Sequence, residues 1–225
     1  MSKLSFIHRF ERGTRRDLAP LLLLHGTGGD ENDLIPLGRM VAPDRALLSV
    51  RGQVLEGGAP RFFRRLTEGV FDEADVVRRA HELSDVVDTV RKEYDITAPV
   101  ALGYSNGANI AAAMLLLRPQ TLRGAVLLRA MAPLAKPPQA DLAGKSILLL
   151  SGQHDPIVPP GNVEGLARTL GASGARVEGR VLPVGHQLSQ LDVNLAREWL
   201  TEEALSEGSH RNEAADADAS QSRRG

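Results

Sequence analysis

Two rhythms of apolar and polar positions alternate along this chain. Short, nearly continuous apolar runs recur at Pro20–Leu24, Ala46–Val50, Val100–Gly103, Ala125–Leu128 and Ile147–Leu150. Runs of this kind suit strands buried on both faces of a sheet. Leu4–Phe10 adds a strand with Leu4, Phe6 and His8 on one face, and Val177–Leu182 adds a weaker one. Stretches with helical periodicity lie between them. The clearest begins at Asp72, a good N-cap, and ends at Tyr94; Val76, Ala80, Leu83, Val87, Val90 and Tyr94 form one stripe at alternating steps of four and three. Gly107–Leu117 is apolar almost all round, as a helix packed deep against a sheet would be, and Arg118-Pro119 forbids its continuation. Asn162–Leu170 and Ser189–Leu200 complete the set. The last has Leu191, Leu195 and Trp199 on one side, with Ser189 and Asp192 at capping-box spacing. Strands alternating with helices predict an α/β fold, a mostly parallel sheet of about seven strands covered on both faces.

Two segments break the rhythm. Arg51–Phe71 is a long Gly- and Arg-rich connection, read as a loop without secondary structure, of the kind that is either functional or disordered. Glu203–Gly225 is rich in Ala, Ser, Asp and Glu and has a single leucine, so a disordered tail is expected there, leaving residues 1–202 as one domain. No internal repeat is found.

Composition narrows the function. A length of 225 residues fits one α/β domain. A net charge of -1 gives no sign of a nucleic-acid or anionic-membrane surface. The absence of cysteine removes disulfides, thiolate metal sites and thiol nucleophiles together. Apolar runs such as Ala111–Leu117 fall far short of the ~20 residues of a membrane span. The basic N-terminus lacks the apolar region of a secretory signal. The expectation is a cytoplasmic protein, monomer or homodimer, acting on a small molecule, with no nucleic-acid or membrane partner, no metal and no cofactor.

The strongest chemical signal is Gly103-Tyr104-Ser105-Asn106-Gly107, a G-x-S-x-G placed where an apolar strand ends and a helix begins. There a serine occupies a sharp turn that lifts its hydroxyl above the sheet, and the flanking glycines let strand and helix approach. A serine needs a base, and the base an orienting acid, in the chain order Ser, acid, His. Asp155 follows the strand Ile147–Leu150, and His186 follows the last strand and precedes the last helix. All three positions fall at the same rim of the sheet. His25, His154, His8, His81 and His210 are weaker bases, and Asp30, Asp33 and Asp141 weaker acids, Asp30 being read as the cap of the first helix. Two N–H donors for an oxyanion are expected from Asn106, next after the serine, and from Thr27 in His25-Gly26-Thr27-Gly28-Gly29. Phe62, Phe63 and Tyr104 are candidates for a substrate pocket, although the two phenylalanines equally suit packing of the long loop. Gly144-Lys145-Ser146 copies the end of a phosphate-binding loop, but Gln139 stands where that motif needs its first glycine, and the triplet precedes a strand instead of following one.

The set HGTGGDENDL, RG-VLEGGAPRFFRR, GYSNGANIA, SGQHDPIVP and GHQLS, in this order, resembles the phospholipase/carboxylesterase family of small α/β-hydrolases. It is most similar to the bacterial carboxylesterase branch related to dienelactone hydrolases, over about Leu21 to Leu200. The resemblance implies an α/β-hydrolase fold without a lid domain, a Ser105, Asp155, His186 triad and hydrolysis of carboxylic esters. Dienelactone hydrolases proper use a cysteine nucleophile, which this chain lacks, so their substrate is not carried over. A thioesterase or lysophospholipase would use the same apparatus. A catalytically silent ligand-binding member and a protein-interaction module are the rivals from other classes.

Overall fold

The structure, a computed structural model, describes residues 6–202. The expected tail from Glu203 onward, His210 within it and the first five positions lie outside the described residues. The seven expected strands form one sheet, the first shifted from Leu4–Phe10 to His8–Glu11: β1 (His8–Glu11), β2 (Leu21–Leu24), β3 (Leu47–Val50), β8 (Val100–Tyr104), β9 (Gly124–Leu128), β10 (Ser146–Gly152) and β11 (Arg176–Leu182). Their spatial order is β1-β3-β2-β8-β9-β10-β11. Only β1 runs antiparallel, against β3; every other pairing is parallel.

Alternation along each strand divides the core. Leu22, Leu24, Ala101, Leu127 and Leu149 face α2 (Glu73–Tyr94), α3 (Asn106–Leu117) and α4 (Pro160–Ala172). Leu21, Leu23, Leu102, Leu128 and Leu150 face α1 (Ile35–Val41) and α5 (residues 190–202). Asp72 caps α2 through its side chain, which accepts from the Asp75 N–H at 3.1 Å. From β2 the chain turns first toward β3 and later crosses back to β8, so the order reverses between β2 and β8. Crevices at the carboxyl ends of strands flanking such a reversal are where α/β sheets bind ligands.

Three expectations need correction. The 51–71 connection is not structureless. It folds into two hairpins, β4 (Val54–Glu56) with β5 (Ala59–Arg61), and β6 (Arg65–Thr67) with β7 (Val70–Phe71). Gly57 and Gly58 take φ of 58° and 87°, the backbone a two-residue hairpin turn requires. Asp30 does not cap the first helix. It accepts from the Asn32 N–H at 2.7 Å in a local turn, and α1 starts after Leu34 without a side-chain cap. The buried stripe of α5 is also rotated from the expected one: Val193, Ala196, Trp199 and Leu200 are inside, whereas Leu191 is 44% exposed. The helix is turned so that Asp192 points inward, to a buried arginine.

Candidate active site

The G-x-S-x-G turn has the geometry its composition suggested. Ser105 adopts φ 51° and ψ -113°, a conformation costly for a residue with a Cβ, and its N–H donates to Leu128 O at 2.8 Å. A Cβ on Gly107 would stand 1.9 Å from Leu24 O, and one on Gly103 2.6 Å from Gly107 O. Both glycines are therefore steric requirements for packing α3 onto β2 and β8.

The structure brings the three rim residues together. Ser105 Oγ lies 3.0 Å from His186 Nε2, and His186 Nδ1 lies 2.8 Å from Asp155 Oδ2. A carboxylate only accepts, so Nδ1 carries the proton and Nε2 is left to accept from the serine hydroxyl. The Asp155 side chain is fully buried, and its other oxygen accepts from the N–H groups of Ile157 (2.8 Å) and Val158 (3.1 Å). The acid is thereby locked in orientation. A hydroxyl bonded to an imidazole that a buried carboxylate orients is the arrangement that activates an alcohol as a nucleophile.

These residues open on a cavity of about 270 Å³, walled in part by Thr27, Tyr104, Asn106, Met131 and Ile157. Among the described residues the backbone N–H groups of Thr27 and Asn106 have no intramolecular acceptor. Asn106 stands first in α3, where helix N–H groups are unpaired by construction and the dipole is positive. The Thr27 loop is fixed from below: Gly28 N–H donates to Pro60 O (2.9 Å), and Arg61 Nη1 donates to Thr27 Oγ1 (2.7 Å). Arg61 is buried, and loss of solvent lowers the pKa of its guanidinium, against the counteracting charge of Glu56.

The remaining candidates fall elsewhere. Phe62 and Phe63 are core residues off the cavity wall; Phe62 packs on His25, and Phe63 meets Phe71 edge-on. Tyr104 does line the cavity, and its hydroxyl donates to His186 O at 3.2 Å. Burial raises the pKa of this phenol. His25 is 1% exposed, with Nε2 accepting from Gly52 N–H (2.9 Å) and Nδ1 next to Gly26 O (2.6 Å). Burial lowers its pKa, so it serves as a neutral structural pin. His154 is exposed and is not part of the cavity wall. Asp30, Asp33 and Asp141 are all off the cavity wall.

Sequence reasoning missed Arg129. This wholly buried residue directly follows β9 and grips the loop that carries His186. The signal was available: a lone arginine within the apolar stretch Ala125–Leu134, where a charge has to find buried partners.

A sheet of this order, with a strained serine at the strand–helix turn after β8, defines an α/β-hydrolase. The chain belongs to the phospholipase/carboxylesterase family, whose sequence model matches residues 55–203. It is 46% identical over 197 residues to the MhqD protein of Bacillus subtilis (strain 168), covering 87% of this chain and 98% of that one. Among solved structures it resembles the Bacillus cereus carboxylesterase, with 45% identity, a TM-score of 0.86, and coverage of 89% of this chain and 95% of that one. A carboxylesterase from Mesorhizobium loti is similar as well, at 33% identity and a TM-score of 0.84, covering 89% and 97%. Among the described residues no helix is long and apolar enough to cross a membrane.

Proposed function

We propose that this protein is a serine carboxylesterase that cleaves esters of small or medium acyl or aryl groups through a covalent acyl-enzyme. Ser105 Oγ attacks the ester carbonyl carbon while His186 Nε2 takes the hydroxyl proton. The N–H groups of Thr27 and Asn106 receive the oxyanion, and Asp155 holds the imidazole tautomer and stabilises the imidazolium. The tetrahedral adduct collapses as His186 gives its proton to the leaving alcohol. Water, deprotonated by His186, then attacks the acyl-serine, and the same proton relay run in reverse releases the acid and restores Ser105.

The observation that carries this reading is the continuous relay from Ser105 Oγ through His186 to a buried Asp155, opening on the cavity. A cavity of about 270 Å³ lies at the small end of ligand sites, which supports compact acyl or aryl groups. The test is hydrolysis of p-nitrophenyl acetate combined with labelling by a fluorophosphonate. Labelling should map to Ser105, and Ser105→Ala should lower kcat by roughly 10⁶-fold. Wild-type protein that neither turns over ester nor takes the label would overturn the proposal in favour of a ligand-binding member. Comparing p-nitrophenyl esters with acyl thioesters and lysophospholipids then ranks the substrate classes.

A further inference from the structure

Arg129 stands at the end of β9 with φ 56° and no solvent exposure. Its guanidinium has five N–H donors, and each finds an acceptor. Nη1 donates to Asp192 Oδ1 (2.7 Å) and to Leu150 O (3.3 Å). Nη2 donates to Asp192 Oδ2 (2.8 Å) and to Gln187 O (3.2 Å). Nε donates to Gly185 O at 3.0 Å. The two loop carbonyls it holds are those immediately before and after His186.

The neighbouring carbonyls are held too. Val184 O accepts from His154 N–H at 3.0 Å, and His186 O accepts from the Tyr104 hydroxyl at 3.2 Å. Every main-chain oxygen from 184 to 187 is thus tied to another element, two of the four by one side chain. Asp192 clamps the arginine from the far side, and it also accepts from the N–H and the hydroxyl of Ser189, both at 2.8 Å. An ion pair needed only for stability could sit anywhere in the core. This one takes an arginine's planar fork and spends two of its three remaining donors on the peptide groups that flank the imidazole. Lysine, with a single nitrogen, could pair with Asp192 but not span both carbonyls.

We propose that Arg129 is a positioning residue for the base, fixing the main chain of His186 so that its ring meets Ser105 and Asp155 at once. This rests on the triad reading above. Reactive groups misplaced by about 1 Å cost on the order of 10²-fold in rate, and because the guanidinium has no solvent exposure the loss falls on kcat.

Two variants test it. Arg129→Met with Asp192→Leu replaces the buried pair by apolar side chains of similar volume, an exchange that buried pairs often tolerate. Arg129→Lys keeps the charge pair and loses the bridge. The measurements are melting temperature, kcat and KM for p-nitrophenyl acetate, and the low-field proton NMR resonance of the His186 Nδ1–H. We expect folded protein in which kcat falls by about 10²-fold, KM changes little and the Nδ1–H signal is lost or shifted. A folded variant with wild-type kcat and an unmoved resonance would overturn the inference; if the double variant fails to fold, Arg129→Lys decides. Wild-type labelling at Ser105 is run in parallel, so failure of the triad reading shows in the unaltered protein and failure of this inference only in the variants.

Discussion

Ser105 allows a test in which the order of two variants runs opposite to the usual one. With φ 51° and ψ -113°, its backbone occupies a region that L residues avoid, at a cost of about 1–3 kcal/mol. Glycine relieves that cost, but it also gives the unfolded chain more freedom, worth roughly 0.5–1 kcal/mol against alanine. Ser105→Gly and Ser105→Ala both delete the hydroxyl, so loss of the bond to His186 cancels in the comparison. The net expectation is that Ser105→Gly is the more stable of the two by about 1 kcal/mol, taking the middle of these ranges. In a domain of this size that is about 2–4 °C in melting temperature. Both variants are inactive if Ser105 is the nucleophile, so the assay is thermal or urea unfolding followed by circular dichroism. At an ordinary position alanine wins. An alanine variant melting above the glycine variant would refute the claim that strain is stored at this turn.

Asp155→Asn preserves shape but favours the wrong imidazole tautomer, so kcat should fall by about 10⁴-fold, as in triad enzymes generally. His154→Ala, at an exposed position, should leave kcat near wild type, whereas His186→Ala should be as inactive as the serine variant; steady-state kinetics that reverse the two histidines would break the triad. His25 is held below its ordinary pKa of 6.5 by burial, so the unfolded chain binds more protons below that pH. Stability should therefore decline as pH falls through about 6.5, levelling out below the folded pKa, and urea midpoints for His25→Gln should lack this slope. Residues 129–145, between β9 and β10, contain neither helix nor strand, so nothing there forms a lid domain. Rates on p-nitrophenyl butyrate should accordingly rise below its solubility limit and level off there, without a jump when an interface forms. Gly107→Ala forces a Cβ against Leu24 O and should cost at least the roughly 3 kcal/mol upper end for overpacked cores, read as a lowered melting temperature or loss of folded protein.

The sheet was legible because each strand except β1 is parallel and most are buried on both faces, leaving uninterrupted apolar runs such as Leu21–Leu24. The rim positions of Ser105, Asp155 and His186 followed from those runs, since a residue just past a parallel strand has one place to go. The hairpins of 51–71 escaped because strands of two or three residues carry no periodicity. Only Gly57-Gly58 announced a turn, and the apolar content of Phe62-Phe63 pointed equally to a pocket wall and to the core. The phase of α5 was misread for a physical reason: the capping-box spacing located Asp192, but its inward partner lies 63 residues earlier in sequence. Long-range polar pairs of that sort leave no local pattern.

The outward winding of the sheet from β8 through β9 and β10 to β11 also sets an order in time. His186 follows Ser105 by 81 residues. At about 5–20 residues per second, a ribosome takes roughly 4–16 s to add the second after the first. Through that interval the growing chain has its serine but neither the strand that completes the sheet's edge nor the imidazole behind it. Completion of the sheet and arrival of His186 nearly coincide, so a chain released early is both unfinished as a fold and without the imidazole that stands 3.0 Å from Ser105 Oγ.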